Sequence, residues 1–158
     1  MARSEEIVDF KRRISSLIIN NEILVGLINE SGITIENSSE LIGNNIFTYD
    51  RIPDTEEETT TYVTIKVDIL RINSINNLFK DIMITLRLVT HQNTIRLSGS
   101  ITNKLDHMSI ELDKMLNGNT DFGIEELKLT SNYEDKVDPH HPCRVIRFLS
   151  DGFNKGCS

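Results

Sequence analysis

Apolar residues recur along the chain with two different periods. Near the N-terminus, Ile7, Phe10, Ile14 and Leu17 are spaced by three, four and three residues, which places them on one helix face. Ser4 followed by Glu5 and Glu6 reads as an N-cap with acidic residues in the first turn. Asn20-Asn21 interrupts the pattern, and Leu24, Leu27 and Ile28 continue it over residues 22–30. Ser31-Gly32 then stops it, glycine being the usual left-handed terminator. The segment reads as two consecutive helices, or one helix broken at the asparagines. A further stripe, Leu97, Ile101, Leu105, Met108, Leu112 and Met115, steps by four, four, three, four and three. Asn103, Lys104, Asp106, Asp113 and Lys114 lie opposite it, and Asn117-Gly118-Asn119 closes it. A helix is predicted over 97–117.

Elsewhere the period is two. Val63, Ile65, Val67 and Ile69 alternate with Thr64, Lys66 and Asp68, the pattern of a half-buried strand. Ile82, Ile84, Leu86 and Leu88 alternate with Met83, Thr85 and Arg87, and Asn73-Ser74-Ile75-Asn76-Asn77 supplies turn chemistry between the two. One face of this antiparallel pair suits helices; the other is mixed, with Met83, Arg87 and Val89. Leu127 and Leu129, then Ile146 and Phe148, predict two more strands, joined by a polar connection over 134–142. The order is α-α-β-β-α-β-β. It predicts an α+β domain, a mostly antiparallel four-stranded sheet with helices packed on one face. The expected core holds Val63, Ile65, Val67, Ile84, Leu86, Leu105, Met108, Leu112, Ile146 and Phe148.

The expected organisation is a single domain over 1–158. It divides into an N-terminal helical segment (1–32), a long acidic connection (33–61), sheet and central helix (62–149) and a C-terminal tail (150–158). In the connection, Ser38, Ser39, Gly43, Asn44 and Asn45 mark turns, while Ile46, Phe47 and Tyr49 offer anchors to a core. Arg51-Ile52-Pro53-Asp54-Thr55-Glu56-Glu57-Glu58 is too polar to bury, and its proline bars regular pairing. A flexible solvated loop is the ordinary reading. Long loops in compact domains also often carry function, so a partner contact is the sharper one.

Composition narrows the functional classes. The chain has 158 residues, 38% hydrophobic and 26% charged, with 8 Gly and 3 Pro, which suits one core and excludes a collagen-like or low-complexity chain. No apolar run approaches the roughly 18 residues of a membrane span. Acidic residues follow Met1-Ala2-Arg3-Ser4 at once, unlike a signal peptide, so the chain reads as a soluble cytosolic product. Against 17 basic residues stand 24 acidic ones, a net charge of -7, which disfavours binding by phosphate neutralisation. Lys11-Arg12-Arg13 is the one basic triplet and reads as a solvated helix face. There is no tryptophan and no basic–aromatic interleaving, so neither a membrane nor a specific nucleic acid is expected as partner.

Candidate chemistry is sparse. Cys143 and Cys157 are expected to be reduced thiols. His140-His141-Pro142-Cys143 offers three metal ligands in four residues, but structural zinc needs a second ligand pair that the chain lacks, and a solvated loop pair is the plainer reading. Cys143 beside a histidine has no oxyanion-hole motif around it, no serine sits in a Gly-x-Ser-x-Gly elbow, and there is no phosphate-cradling glycine loop. No catalytic residue, metal or cofactor is expected; a small metal-dependent enzyme is the alternative class. The surface is then the product.

Several segments together carry a resemblance. Phe47-Thr48-Tyr49-Asp50-Arg51-Ile52-Pro53-Asp54-Thr55 runs through an acidic patch into Tyr62-Val63-Thr64-Ile65-Lys66-Val67-Asp68-Ile69. Asp81-Ile82-Met83-Ile84 leads to Val89-Thr90-His91-Gln92, then to Ile110-Glu111-Leu112-Asp113-Lys114-Met115-Leu116-Asn117-Gly118. Phe122-Gly123-Ile124 and Cys143-Arg144-Val145-Ile146-Arg147-Phe148 close the series. Over residues 40–154 the chain resembles small proteins of the head–tail joining and tail genes of tailed bacteriophages, tail terminators first and neck or head-completion proteins next. The resemblance implies a structural virion protein at the head–tail junction, present in host cytoplasm during assembly. Its implied form is a hexameric ring that caps the tail tube and joins it to the neck. Implied partners are further copies of the chain, the tail tube protein, a neck or head-completion protein, and tail sheath if the tail is contractile. A closed ring of this kind is heterologous, each subunit using two different surfaces. The candidate contacts are Asp54, Glu56, Glu57 and Glu58 in the acidic loop, Asn76 and Asn77 in the segment 73–79, and Asp135 and Lys136 in the connection 134–142. The acidic loop ranks first, because its carboxylates would complement a basic neighbour.

Overall fold

A computed structural model describes residues 4–72, 80–120 and 126–150. Where the chain alternates with period two, it forms strands whose apolar side is covered by the segments of helical period. The elements are α1 (Ser4–Ile19), α2 (Glu22–Ile28), a 3-10 helix (Ile35–Leu41), β1 (Ile46–Phe47), β2 (Tyr62–Ile72), β3 (Lys80–Val89), α3 (Lys104–Leu116), β4 (Lys128–Asp138) and β5 (His141–Ser150). They form an α+β fold around one sheet of order β1-β2-β3-β5-β4. β1 runs parallel to β2, and the other neighbours are antiparallel.

The register aligns the apolar rows. Ile65 pairs with Leu86 and Leu86 with Ile146, while Val67 pairs with Ile84 and Ile84 with Phe148. On this face Phe10, Ile14 and Ile18 of α1, Leu24 and Ile28 of α2, and Leu105, Met108, Leu112 and Leu116 of α3 complete the core. All ten predicted core residues are buried there. On the other face a smaller cluster forms from Phe47, Tyr62, Val89, Cys143 and Val145. Among the described residues no helix is long and apolar enough to cross a membrane.

The sheet has five strands rather than four. Ile46 and Phe47, expected only as anchors, lie in register with Val63 and Thr64 as a short parallel strand. Tyr49 is largely exposed, but its ring meets the buried Phe47 ring edge to face, with centroids 5.6 Å apart. Asn21 does break the first helical pattern: its side-chain oxygen accepts the Leu24 N–H at 3.0 Å and caps α2. That helix ends earlier than Ser31-Gly32. Asn29 adopts the left-handed conformation, φ 52° and ψ 44°, and its N–H bonds back to the Val25 carbonyl.

α3 is shorter than its stripe. Asn103 accepts the Asp106 N–H at 2.8 Å and starts the helix at Lys104, so Leu97 and Ile101 lie outside it. Gly99, at φ 74°, takes the chain out of helical geometry just upstream, and Ile101 stands fully in solvent. Lys104, expected on the solvated side, is buried. The polar connection 134–142 is strand almost throughout, with a tight turn at Pro139-His140 between β4 and β5. The alternation that predicted a strand at Leu127 and Leu129 covers only the start of β4; over residues 132–136 this edge strand is exposed on both faces and has none to read. The predicted turn at 73–77 and the tail beyond residue 150 lie outside the described residues.

Candidate interaction surface

The acidic loop between β1 and β2 is organised by its one cation. Arg51 donates to both oxygens of Glu58, Nη1 to Oε2 at 2.8 Å and Nη2 to Oε1 at 2.7 Å, the bidentate geometry that guanidinium and carboxylate share. Its guanidinium lies 5.0 Å from the Phe47 ring centroid and 4.8 Å from that of Tyr62, within cation–π range of both. Tyr62 Oη donates to the Arg51 carbonyl at 3.0 Å. The hydrogen bond from Arg51 lowers the Glu58 carboxyl below its ordinary range, against the opposing effect of burial. Burial pushes the Tyr62 phenol up to about 12.

Histidines tie the same loop to the sheet. The register that sets Val89 opposite Cys143 brings His91, just beyond β3, to His141 at the start of β5. Their rings meet edge to face at 5.1 Å. His91 Nδ1 accepts the Asn93 N–H at 3.0 Å, so Nε2 is the nitrogen that donates to the Glu56 carbonyl, at 2.9 Å. His141 Nε2 meets the Glu58 carbonyl at 2.7 Å, and its Nδ1 meets the Asp138 carboxylate at 2.9 Å. Burial works to raise the Asp138 carboxyl, but hydrogen bonds from the His141 ring and from the backbone N–H groups of His140 and His141 outweigh it and hold it low. His140 Nε2 stands 3.5 Å from Glu56 Oε2.

The sequence-derived candidates therefore divide. Asp54, Glu56 and Glu57 are exposed, whereas Glu58 is turned inward and committed to Arg51. Asn76 and Asn77 lie outside the described residues. Asp135 and Lys136 are exposed on β4, at the end of the hairpin where Asp138 and His141 hold the loop. His140 and His141 do not form a solvated pair, since His141 is completely buried. Among the described residues no group of three or more His, Cys, Asp or Glu is arranged to hold a metal. Cys143 is buried, and burial raises its thiol pKa, which works against a nucleophilic thiolate. Arg51 and His91 are the organising residues that the sequence reading passed over. Arg51 had one available signal, a single cation within an acidic run close to Phe47 and Tyr62.

The sheet also ends on two unlike edges. At one end β1 covers only the start of β2, so among the described residues β2 has no outer strand partner from Ile65 to Ile72. At the other end β4 has no outer strand partner among the described residues, and of its edge groups the Leu129 N–H is accepted by Asn117 Oδ1 at 3.1 Å. Unpaired edges invite pairing, and both carry devices that limit it. β4 has bulges between Leu129 and Ser131 and between Lys136 and Asp138, with Glu134, Asp135 and Lys136 exposed. β2 has a bulge between Ile69 and Arg71, beside the exposed Leu70.

In comparison with known proteins, a family model, YomW, matches residues 13–149, which runs from the second half of α1 to the penultimate residue of β5. No curated protein matches the chain.

Proposed function

The chain belongs to the YomW family, which is phage-associated, and from that premise we propose that it is a structural protein of the phage particle, a tail terminator forming a ring between tail tube and neck. The observation that carries the reading is the pair of unlike sheet edges. A heterologous ring needs two different surfaces that face in different directions, and the β2 and β4 edges lie at opposite ends of one sheet. The bulges on both edges and the charges on that of β4 favour a partner of defined register over indiscriminate pairing. Next to the β4–β5 turn, the exposed carboxylates of the loop at 54–57 supply an acidic surface held in place by Arg51, His91 and His141. A loop fixed at several points presents its charge at little entropic cost on association.

Electron microscopy of the purified protein, alone and with tail tube protein, tests the reading. Sixfold rings that cap tubes are the expected result. Twelvefold rings beside a portal would assign the protein to the neck instead. A strict monomer that binds neither tube nor neck components would overturn a junction role altogether.

A further inference from the structure

Lys104 is the first residue of α3, where its charge meets the positive end of the helix dipole. It is only 8% exposed, and among the described residues no carboxylate lies within ion-pair distance of it. Burial lowers its pKa. A buried ammonium without a counter-charge destabilises the fold that holds it.

The hydrogen bonds around it show what is missing. Thr94 Oγ1 donates to the His91 carbonyl at 3.0 Å, and that carbonyl can only accept. Thr94 must then accept from Thr90 Oγ1 at 2.8 Å, and Thr90 from Thr61 Oγ1 at 2.8 Å, because each hydroxyl has one proton. Thr61 is left to accept from the Lys104 ammonium, at 3.2 Å. This relay uses one of the three ammonium protons. Among the described residues the other two have no acceptor.

Lys104 and Thr61 line a cavity of about 540 Å³, together with Thr59, Thr60, Thr94 and Arg96. Thr61 and Thr94 have spent their protons within the relay. Unspent donors are Lys104, the exposed Arg96 and the hydroxyls of Thr59 and Thr60, contributed by three separate stretches of chain. Glu30 is the one carboxylate on the wall, and its Oε2 already accepts from Asn45 Nδ2 at 3.0 Å. The end of α2, residues 26–29, with Ser31 forms most of the remaining wall, whereas the part built by Lys104, Arg96, Thr59 and Thr60 holds unspent donors only, and that part fits a ligand that accepts. Donors arriving from several stretches suit tetrahedral oxygens better than a planar carboxylate, which a single guanidinium can satisfy.

We propose that this cavity binds a small oxyanion of the phosphate class, with Lys104 and Arg96 supplying charge and Thr59 and Thr60 supplying hydroxyl donors.

Calorimetry and thermal melting of the full chain with inorganic phosphate, against sodium chloride at matched ionic strength, test it. Saturable binding of one phosphate per chain and a phosphate-dependent rise in Tm are expected. Lys104→Met and Arg96→Gln should each weaken that binding by about tenfold or more, the loss of one charged contact. Glu30→Gln should tighten it. Without phosphate, Lys104→Met should melt above the wild type, because the stranded charge is gone. Should Lys104→Met fail to fold, the exposed Arg96→Gln carries the same test. A phosphate monoester run in parallel separates the two sources: tighter binding than inorganic phosphate points to an esterified ligand, weaker binding to the free ion. No saturable response to either, unchanged affinity in both cation variants, or tighter binding of acetate than of phosphate would overturn the proposal.

Discussion

Replacing Arg51 tests whether the acidic loop is held by one clamp. Arg51→Met keeps the aliphatic stem but removes two charge-assisted hydrogen bonds to Glu58 and the guanidinium over Phe47 and Tyr62. It leaves a carboxylate whose side chain is 15% exposed with no cation beside it. Breaking a fully buried pair costs about 3–5 kcal/mol. Partial solvation of Glu58 lowers that to roughly 2–3 kcal/mol, and loss of the two cation–π contacts adds about 1 kcal/mol. The expected loss is therefore about 3–4 kcal/mol, or roughly 6–16 °C in Tm for a chain of this size. The pH dependence follows from the lowered Glu58 pKa. A carboxylate depressed in the folded state stabilises above its unfolded pKa of about 4.3, and that stability is lost as pH falls through the folded value. Urea titrations from neutral pH downward should thus show the gap between wild type and Arg51→Met narrowing below about pH 4. A cycle with Glu58→Gln should return a coupling of about 2 kcal/mol. A loss below about 0.5 kcal/mol, the range of ordinary surface changes, or zero coupling would refute the clamp.

Three further outcomes are expected. Leu112→Ala, at a fully buried position of α3, should cost about 2–5 kcal/mol in urea unfolding, whereas Ile101→Ser, on the same sequence stripe but wholly exposed, should change stability by less than about 0.5 kcal/mol. His141→Ala strips partners from the Glu58 carbonyl and the Asp138 carboxylate; trypsin should then cut after Arg51 faster than in the wild type, and an unchanged cleavage rate would count against the histidine tether. Cys143 in the native protein should react with a disulfide reagent at neutral pH far more slowly than in urea, since it is buried and its thiol pKa is raised.

What could be read in the sequence depended on burial. β2, β3 and α1 each put one side against the core, so a period of two or of 3.6 survives in their residues. The same signal misled at α3. Leu97 and Ile101 fall in phase with Leu105 by coincidence of spacing, and the residues that decide the start are polar ones, Asn103 with its bond to the Asp106 N–H and Gly99 at positive φ. The start of β4 was legible at Leu127 and Leu129, but its extension through residues 134–138 escaped because an edge strand wet on both sides has no reason to alternate. The clamp escaped for a different reason. Arg51 and Glu58 are seven residues apart in irregular chain, and His91 and His141 are brought together only when β3 pairs with β5.

These unread parts have a common physical character, and it bears on how the molecule works. Interior positions are constrained by packing, which writes a period into the chain. Surface positions are constrained by whatever they meet, and a partner leaves no period. The β4 edge, the loop at 54–57 and the cavity beneath Lys104 all lie where charge and hydrogen bonding, rather than apolar area, set the identity of each residue. For such surfaces the informative measure is the donor and acceptor left over after internal partners are counted. By that measure the two sites differ. The loop has spent Glu58 on Arg51, and Asp54 and Glu56 stand 3.6 Å and 3.5 Å from Arg51 and His140, but all three of Asp54, Glu56 and Glu57 keep exposed carboxylate oxygens that suit a basic neighbour. Lys104 keeps two unspent protons in a wall of hydroxyls, so its cavity offers donors to an anion. One chain thus carries complementary demands at separate places. Measuring a Glu56→Gln, Glu57→Gln variant beside Lys104→Met separates them: if the anion site takes a free ion, the loop variant should bind phosphate as the wild type does while losing lateral association. Tighter phosphate binding by the loop variant, together with its loss of association, would mean that a neighbour's carboxylates fill the cavity in the wild type instead.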